Sequence, residues 1–149
     1  MREAIDTALK AAMKARDPAR TGTLRMISAA IKDRDIEARG KGKGAASDDE
    51  LLAGLAKMIR QREESAKMYT DGGRPELAEK ERAEIEVIRG FMPKQMSEDD
   101  VREAAQAAIA ETGAASPRDM GRVMAVLKER HAGQMDFGKA SATVKALLG

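Results

Sequence analysis

The sequence contains no cysteine and no tryptophan, a single histidine, one tyrosine and two phenylalanines. Without cysteine there are no disulfides, thiolate nucleophiles or thiolate metal sites, which fits a reducing compartment. One imidazole makes a poor zinc site, and no nucleophile, base and orienting acid can be assembled around His131. So few aromatics leave base stacking without an evident platform. No apolar run reaches membrane-spanning length, and the first residues alternate charged and apolar side chains with no apolar signal core. These absences lead to the expectation of a cytoplasmic protein with no membrane partner, no metal, no cofactor and no catalytic residues of its own.

What is present is material for helices. Leu, Ile, Val and Phe together number 24 of 149 residues, whereas Ala supplies 28 and Met 10. Both are good helix formers, one suited to close approach and the other to adaptable filling. Low aliphatic content would hint at disorder if the net charge were large, but it is only +2. Apolar residues recur at helical spacing nearly throughout, and no convincing period-two run interrupts them.

The spacing predicts a first helix over about Arg2 to Arg16, with Ile5, Leu9, Ala12 and Met13 on one face. A second covers about Ala19 to Ala38, with Leu24, Ile27 and Ile31 together, and fades into Arg39-Gly-Lys-Gly-Lys-Gly44, a loop able to bury little. Ser47 and Glu50 have the form of a capping box opening a third helix to about Tyr69. Asp71-Gly-Gly-Arg-Pro75 is a turn, and Pro75 suits the first position of a fourth helix, which should end near Met92. Helices three and four then form a long antiparallel hairpin. Beyond Pro93 the segments shorten: Ser97 opens a helix to about Thr112, Ser116 one to about Ala132 and Asp136 one to about Leu148, with Gly113 and Gly133 at C-caps. The expected fold is all-α, with a multihelical N-terminal domain over 1–93 and a small three-helix domain over 94–149.

Two constellations stand out. On helix three, Leu52, Leu55, Ile59, Arg62, Ala66 and Tyr69 form one seam with an arginine in its middle. The facing seam of helix four is Leu77, Glu81, Ile85, Ile88 and Met92. Antiparallel pairing brings Arg62 opposite Glu81 or Glu84, giving a structural ion pair that sets the hairpin register, with Gln61 or Ser65 able to assist. The functional alternative is a ligand site lined by Arg62, Ser65 and Tyr69.

The second lies in the last two helices. Residues 118 to 145 hold Arg118, Arg122, Lys128, Arg130, Lys139 and Lys145 against Asp119, Glu129 and Asp136, a local balance of +3 that can attract phosphates. Any RNA contact would use backbone and shape. Met120, Val123, Met124, Leu127, Phe137, Val144, Leu147 and Leu148 make the core face beneath. His131, at the end of helix six, reads as a capping residue favoured by the helix dipole. The other reading of the charged side chains is a solvated helix face.

Several stretches resemble a known family. Leu24-Arg25, Ile59-Arg-Gln-Arg-Glu-Glu-Ser65, Gly73-Arg-Pro-Glu-Leu-Ala78, Glu81, Glu84-Ile85 and Met92-Pro-Lys-Gln95 are similar to the N-terminal pattern of YqeY-like proteins. Asp119-Met-Gly-Arg-Val-Met124, Ala132-Gly133, Val144-Lys145 and Leu147-Leu148 resemble the tail shared by YqeY and GatB, the B subunit of glutamyl-tRNA(Gln) and aspartyl-tRNA(Asn) amidotransferase. The resemblance implies an all-helical accessory protein whose tail binds tRNA, with tRNA, amidotransferase subunits or other proteins as partners. It also implies a family label of glutamine-dependent carbon-nitrogen ligase. The GatB cradle domain and the amidase Ser-Ser-Lys arrangement cannot be placed here, so the residues carry only the recognition part. A helical protein-protein adaptor without RNA is the second reading, and a transamidase acting alone the third. Met135 departs from the small residue usual in related tails, which puts the local turn packing in question. Gly121 matches a family glycine; inside a helix it costs about 1 kcal/mol against alanine. Packing of a second helix against it is the favoured explanation, with close approach of a tRNA backbone the alternative.

Overall fold

A computed structural model describes residues 1–149 and contains seven α-helices and no strand. They are α1 (Arg2–Lys14), α2 (Pro18–Gly40), α3 (Asp48–Asp71), α4 (Pro75–Arg89), α5 (Glu98–Thr112), α6 (Met120–Arg130) and α7 (Phe137–Leu148). The chain forms two compact units, Met1–Met92 and Pro93–Gly149. Each has its own apolar core, and the two cores share no residue.

The helix ends follow from local chemistry. Asp17, Ser47, Ser97 and Asp136 each accept a backbone N–H from the first turn of the helix they precede. Pro18 and Pro75 occupy the first helical position, where a missing N–H costs nothing. The reciprocal capping box occurs at Ser97 and Asp100; at Ser47 only the serine half is made, with Glu50 lying towards Lys43. The α3–α4 turn needs a left-handed residue, and Gly73 supplies it at φ +73° while the Arg74 N–H closes back on the Tyr69 carbonyl at 2.7 Å. The α1–α2 corner has the same closure, Asp17 N–H to Ala12 carbonyl at 3.1 Å, but places Arg16 at φ +54°. A side chain there costs roughly 1 kcal/mol that glycine would avoid.

Some expected boundaries move. Helix α2 continues to Gly40, because its last carbonyls are met by the N–H groups of Lys41, Gly42 and Lys43. Helix α4 stops at Arg89, so Met92 lies beyond it rather than on its seam. Ser116 opens a single 3-10 turn, Pro117–Asp119, and α6 begins only at Met120.

In the first unit α2 packs on α1, α3 and α4, and α3 on α4. Ile5 and Ala12 of α1, Leu24 and Ile27 of α2, Leu55, Met58 and Ile59 of α3, and Ile85 and Ile88 of α4 form its core. Met13, assigned to the core face from its spacing, is instead exposed.

A second cluster, Ala38, Ala46 and Leu51, lies under the glycine-lysine loop. It is clasped by Arg2, whose two terminal nitrogens reach both oxygens of Asp35 at 2.6 and 2.8 Å and whose Nη2 also donates to the Ala46 carbonyl at 3.0 Å. Asp35 Oδ1 accepts the Ala46 N–H at 3.0 Å. The Arg2 hydrogen bonds, and then the Ala46 N–H, hold the Asp35 carboxyl down at about 2 from its usual 3.8. A depressed carboxylate contributes its full stability above the unfolded-state value and loses it as pH falls through the folded-state value. Stability should therefore decline from pH 3.8 towards pH 2. Asp35→Asn should make that acid limb shallower, read as urea midpoints across the same pH range.

In the second unit α5 packs on both α6 and α7. Ala105 and Ala140 are fully buried in the core, alongside Ala108, Val123, Leu127 and Val144. Met135 joins this core and fills the turn before α7, so its bulk is absorbed by packing. Leu147, expected on the core face, is exposed. No helix is long and apolar enough to cross a membrane.

Candidate nucleic-acid interface

The six basic residues between Arg118 and Lys145 divide into two kinds. Arg130 is held by both carboxylate oxygens of Glu111 on α5, an inter-helix fork that lowers the Glu111 carboxyl and raises the arginine. Arg122 bonds Asp119 at 2.7 Å and the Thr112 carbonyl at 3.3 Å. Asp119 is held below its usual range first by the Ala115 N–H and then by Arg122. Its carboxylate therefore ties the α5–α6 connection together. These two arginines work inside the unit.

Arg118, Lys128, Lys139 and Lys145 are exposed and make no ion pair. Arg118 sits in the 3-10 turn ahead of α6. Six residues separate Lys139 from Lys145 on α7, which turns them about 120° apart around the helix axis. The four are therefore spread over the 3-10 turn, α6 and α7 rather than along one stripe. Across residues 94–149 eight basic side chains meet eight acidic ones. Glu98, Asp99, Asp100 and Glu103 gather at the start of α5, so the neutral unit is polarised between its acidic α5 entrance and the two later helices.

Gly121 corrects an expectation. A methyl group built on it meets nothing within 4 Å, so no helix packs there. Gly121 is exposed on α6 with Arg118 and Arg122 near it in the chain. Because space is open and the residue is helical, Gly121→Ala should raise stability by about 1 kcal/mol, checked by thermal or urea unfolding.

His131 closes α6 with its backbone N–H on the Leu127 carbonyl at 2.9 Å, and its Nδ1 lies 3.3 Å from Gln134 Oε1. The ring meets a side chain, not the last helical carbonyls. The turn that follows is stitched to the start of the unit: Gln95 Nε2 donates to the Gly133 carbonyl at 2.6 Å, and the Met96 N–H to Gln134 at 2.9 Å. In the sequence Gln95 stands out only as the end of the family-like stretch Met92-Pro-Lys-Gln95.

Arg62 donates through Nε to Glu84 Oε2 at 2.9 Å and through Nη1 to the Met58 carbonyl at 3.2 Å, and its Nη2 faces Met26 Sδ at 3.4 Å. Glu81 lies one turn earlier on α4 and makes no bond to it; Gln61 and Ser65 do not assist either. The guanidinium thus touches protein groups from three helices, a carboxylate, a carbonyl and a thioether. No three His, Asp or Glu side chains gather where they could hold a metal ion. A shallow depression between α5 and α7 is lined by Arg102, Ala142, Thr143, Ala146 and Leu147.

These features define a seven-helix protein with a four-helix body and a polarised three-helix tail. Residues 2–148 match the family model described as Yqey-like protein, and the chain belongs to that family. It is also similar to proteins named "Altered inheritance of mitochondria protein 41, mitochondrial". The one from Lachancea thermotolerans is 34% identical over 84 residues, covering 56% of this chain and 43% of the relative. The Candida glabrata protein is 34% identical over 84 residues, with 56% and 45% covered. That of Saccharomyces cerevisiae strain YJM789 is 32% identical, with 56% and 44% covered. The aligned stretch thus spans less than half the length of these relatives. Their names overturn the cytoplasmic expectation. Lack of cysteine was part of its basis, and that property does not separate one reducing compartment from another.

Proposed function

We propose that the protein is a tRNA-binding accessory factor that works alongside tRNA-dependent amidotransferase, with the tail unit as its RNA-facing surface. The observation that carries this reading is that Arg118, Lys128, Lys139 and Lys145, in the turn before α6 and on α6 and α7, are exposed and unpaired on a tail that resembles that of GatB. Arg122 and Arg130 contribute shape, since their charges are already matched by Asp119 and Glu111. Contacts of this kind read phosphate and backbone, not base identity.

The test is binding of labelled tRNA to the full chain across a salt series. Affinity should fall steeply with salt, and Arg118→Gln or Lys128→Gln should each reduce the logarithmic salt slope by about 1. Arg130→Gln should leave the slope nearly unchanged while weakening the tail. Absence of saturable binding at low salt, or a slope indifferent to Arg118 and Lys128, would sink the proposal. The adaptor reading is favoured by one observation, the exposed Leu147 beside Ala142 and Ala146 in the α5–α7 depression. Salt-insensitive binding to amidotransferase subunits, lost in Leu147→Asp, would support it instead.

A further inference from the structure

Arg62 sits where α2, α3 and α4 meet, and its side chain is only 13% exposed. A guanidinium stays charged and brings five N–H donors in a fixed fork. Nε has a carboxylate and Nη1 a carbonyl, but Nη2 has only the thioether of Met26 at 3.4 Å. A thioether is among the weakest acceptors in proteins. The junction therefore holds a strong, shielded donor opposite a poor acceptor. Met26 is itself 40% exposed, so its sulfur can be reached from solvent, whereas Met58 on the same guanidinium is 9% exposed and offers only its carbonyl.

We infer that Met26 is an oxidation site whose sulfoxide oxygen is captured by Arg62, so that peroxide tightens the α2–α3–α4 junction. The sulfur lone pair attacks one oxygen of hydrogen peroxide, an S–O bond forms and the O–O bond breaks. The departing hydroxide takes the proton from the transferred oxygen and leaves as water. Sulfur loses two electrons and the peroxide gains them, so no further oxidant is needed. An S–O bond and an N–H···O bond together span more than the present 3.4 Å, so the exposed Met26 side chain moves outward by about 1 Å, and the new oxygen, which carries negative charge, accepts from Nη2 as a charge-assisted bond. Methionine oxidation ordinarily disrupts packing by placing a polar group in an apolar site. Here the product has water on one side and a cation on the other. Met13 and Met68 are more exposed, at 51% and 74%, but neither sulfur has a donor. Sulfoxide is chiral, and the epimer that points its oxygen at Arg62 is the one retained.

The experiment uses the full chain with Met13→Leu and Met68→Leu, both at exposed positions. It is treated with hydrogen peroxide over a time course, with peptide mass spectrometry for occupancy and thermal melting for stability. Tm should rise by about 2–5 °C in step with Met26 sulfoxide, and the rise should be absent in the same background with Met26→Leu. A reductase specific for one sulfoxide epimer should leave the stabilised form in place, while the enzyme of opposite specificity reverses it. A Tm that holds or falls as Met26 becomes oxidised would overturn the inference. So would a Met26 that stays reduced when free methionine in the same tube is fully oxidised.

Discussion

Arg62→Met should cost about 3 kcal/mol of stability, and most of that loss should return when Glu84→Leu is added to the same chain. The single change leaves a carboxylate, 16% exposed, facing an apolar seam with no partner. It also removes the donor to the Met58 carbonyl and the Met26 contact. The double change puts two apolar side chains of suitable volume where the ion pair stood, and such replacements are often neutral. Urea unfolding of the wild type, both single variants and the double variant gives the coupling directly. Equal midpoints for Arg62→Met and the double variant would mean that the carboxylate is solvated without Arg62, and that the pair does not set the hairpin register.

Leu127→Ala should unfold the tail while leaving the first unit intact. Leu127 is 1% exposed in a core otherwise made largely of alanine and valine. Removing its isobutyl group costs about 2–5 kcal/mol. A unit of roughly 60 residues holds only a few kcal/mol in reserve. Amide hydrogen exchange reads the outcome residue by residue: protection should disappear over α5, α6 and α7 and persist at Leu24, Ile27 and Ile88, which belong to the other core. Tyr69, the chain's single tyrosine, reports the first unit by its own spectrum. Loss of protection everywhere would show that the two cores unfold as one.

The parts of the fold that were legible in the sequence are those governed by nearby residues. Ser97, Asp136, Pro75 and Gly113 marked helix ends because capping depends on the next few positions. The facing of Arg62 to α4 was legible from seam spacing, but the choice between Glu81 and Glu84 was not. One helical turn separates them, and the exact tilt of two long helices decides. The Arg2–Asp35–Ala46 clasp was invisible because its members are 33 and 44 residues apart and none breaks a local pattern. Gly121 shows the opposite error: a glycine in a helix was read as room for a neighbouring helix, and the space is open solvent. In the candidate interface, composition located the cations, but only three-dimensional pairing separated Arg122 and Arg130 from the four left free.

The clasp also bears on how the chain can be extended. Residues Gly40 to Gly44 are exposed, while the points on either side, Ala38 and Ala46, are buried, and Ala46 is pinned by Asp35 and Arg2. Segment length between two fixed anchors enters the free energy only logarithmically, so each doubling adds about 0.6 kcal/mol. The glycine-lysine segment is thus a natural graft point. A reporter peptide or tether can be spliced in there at small thermodynamic cost, with the helices on both sides keeping their seats.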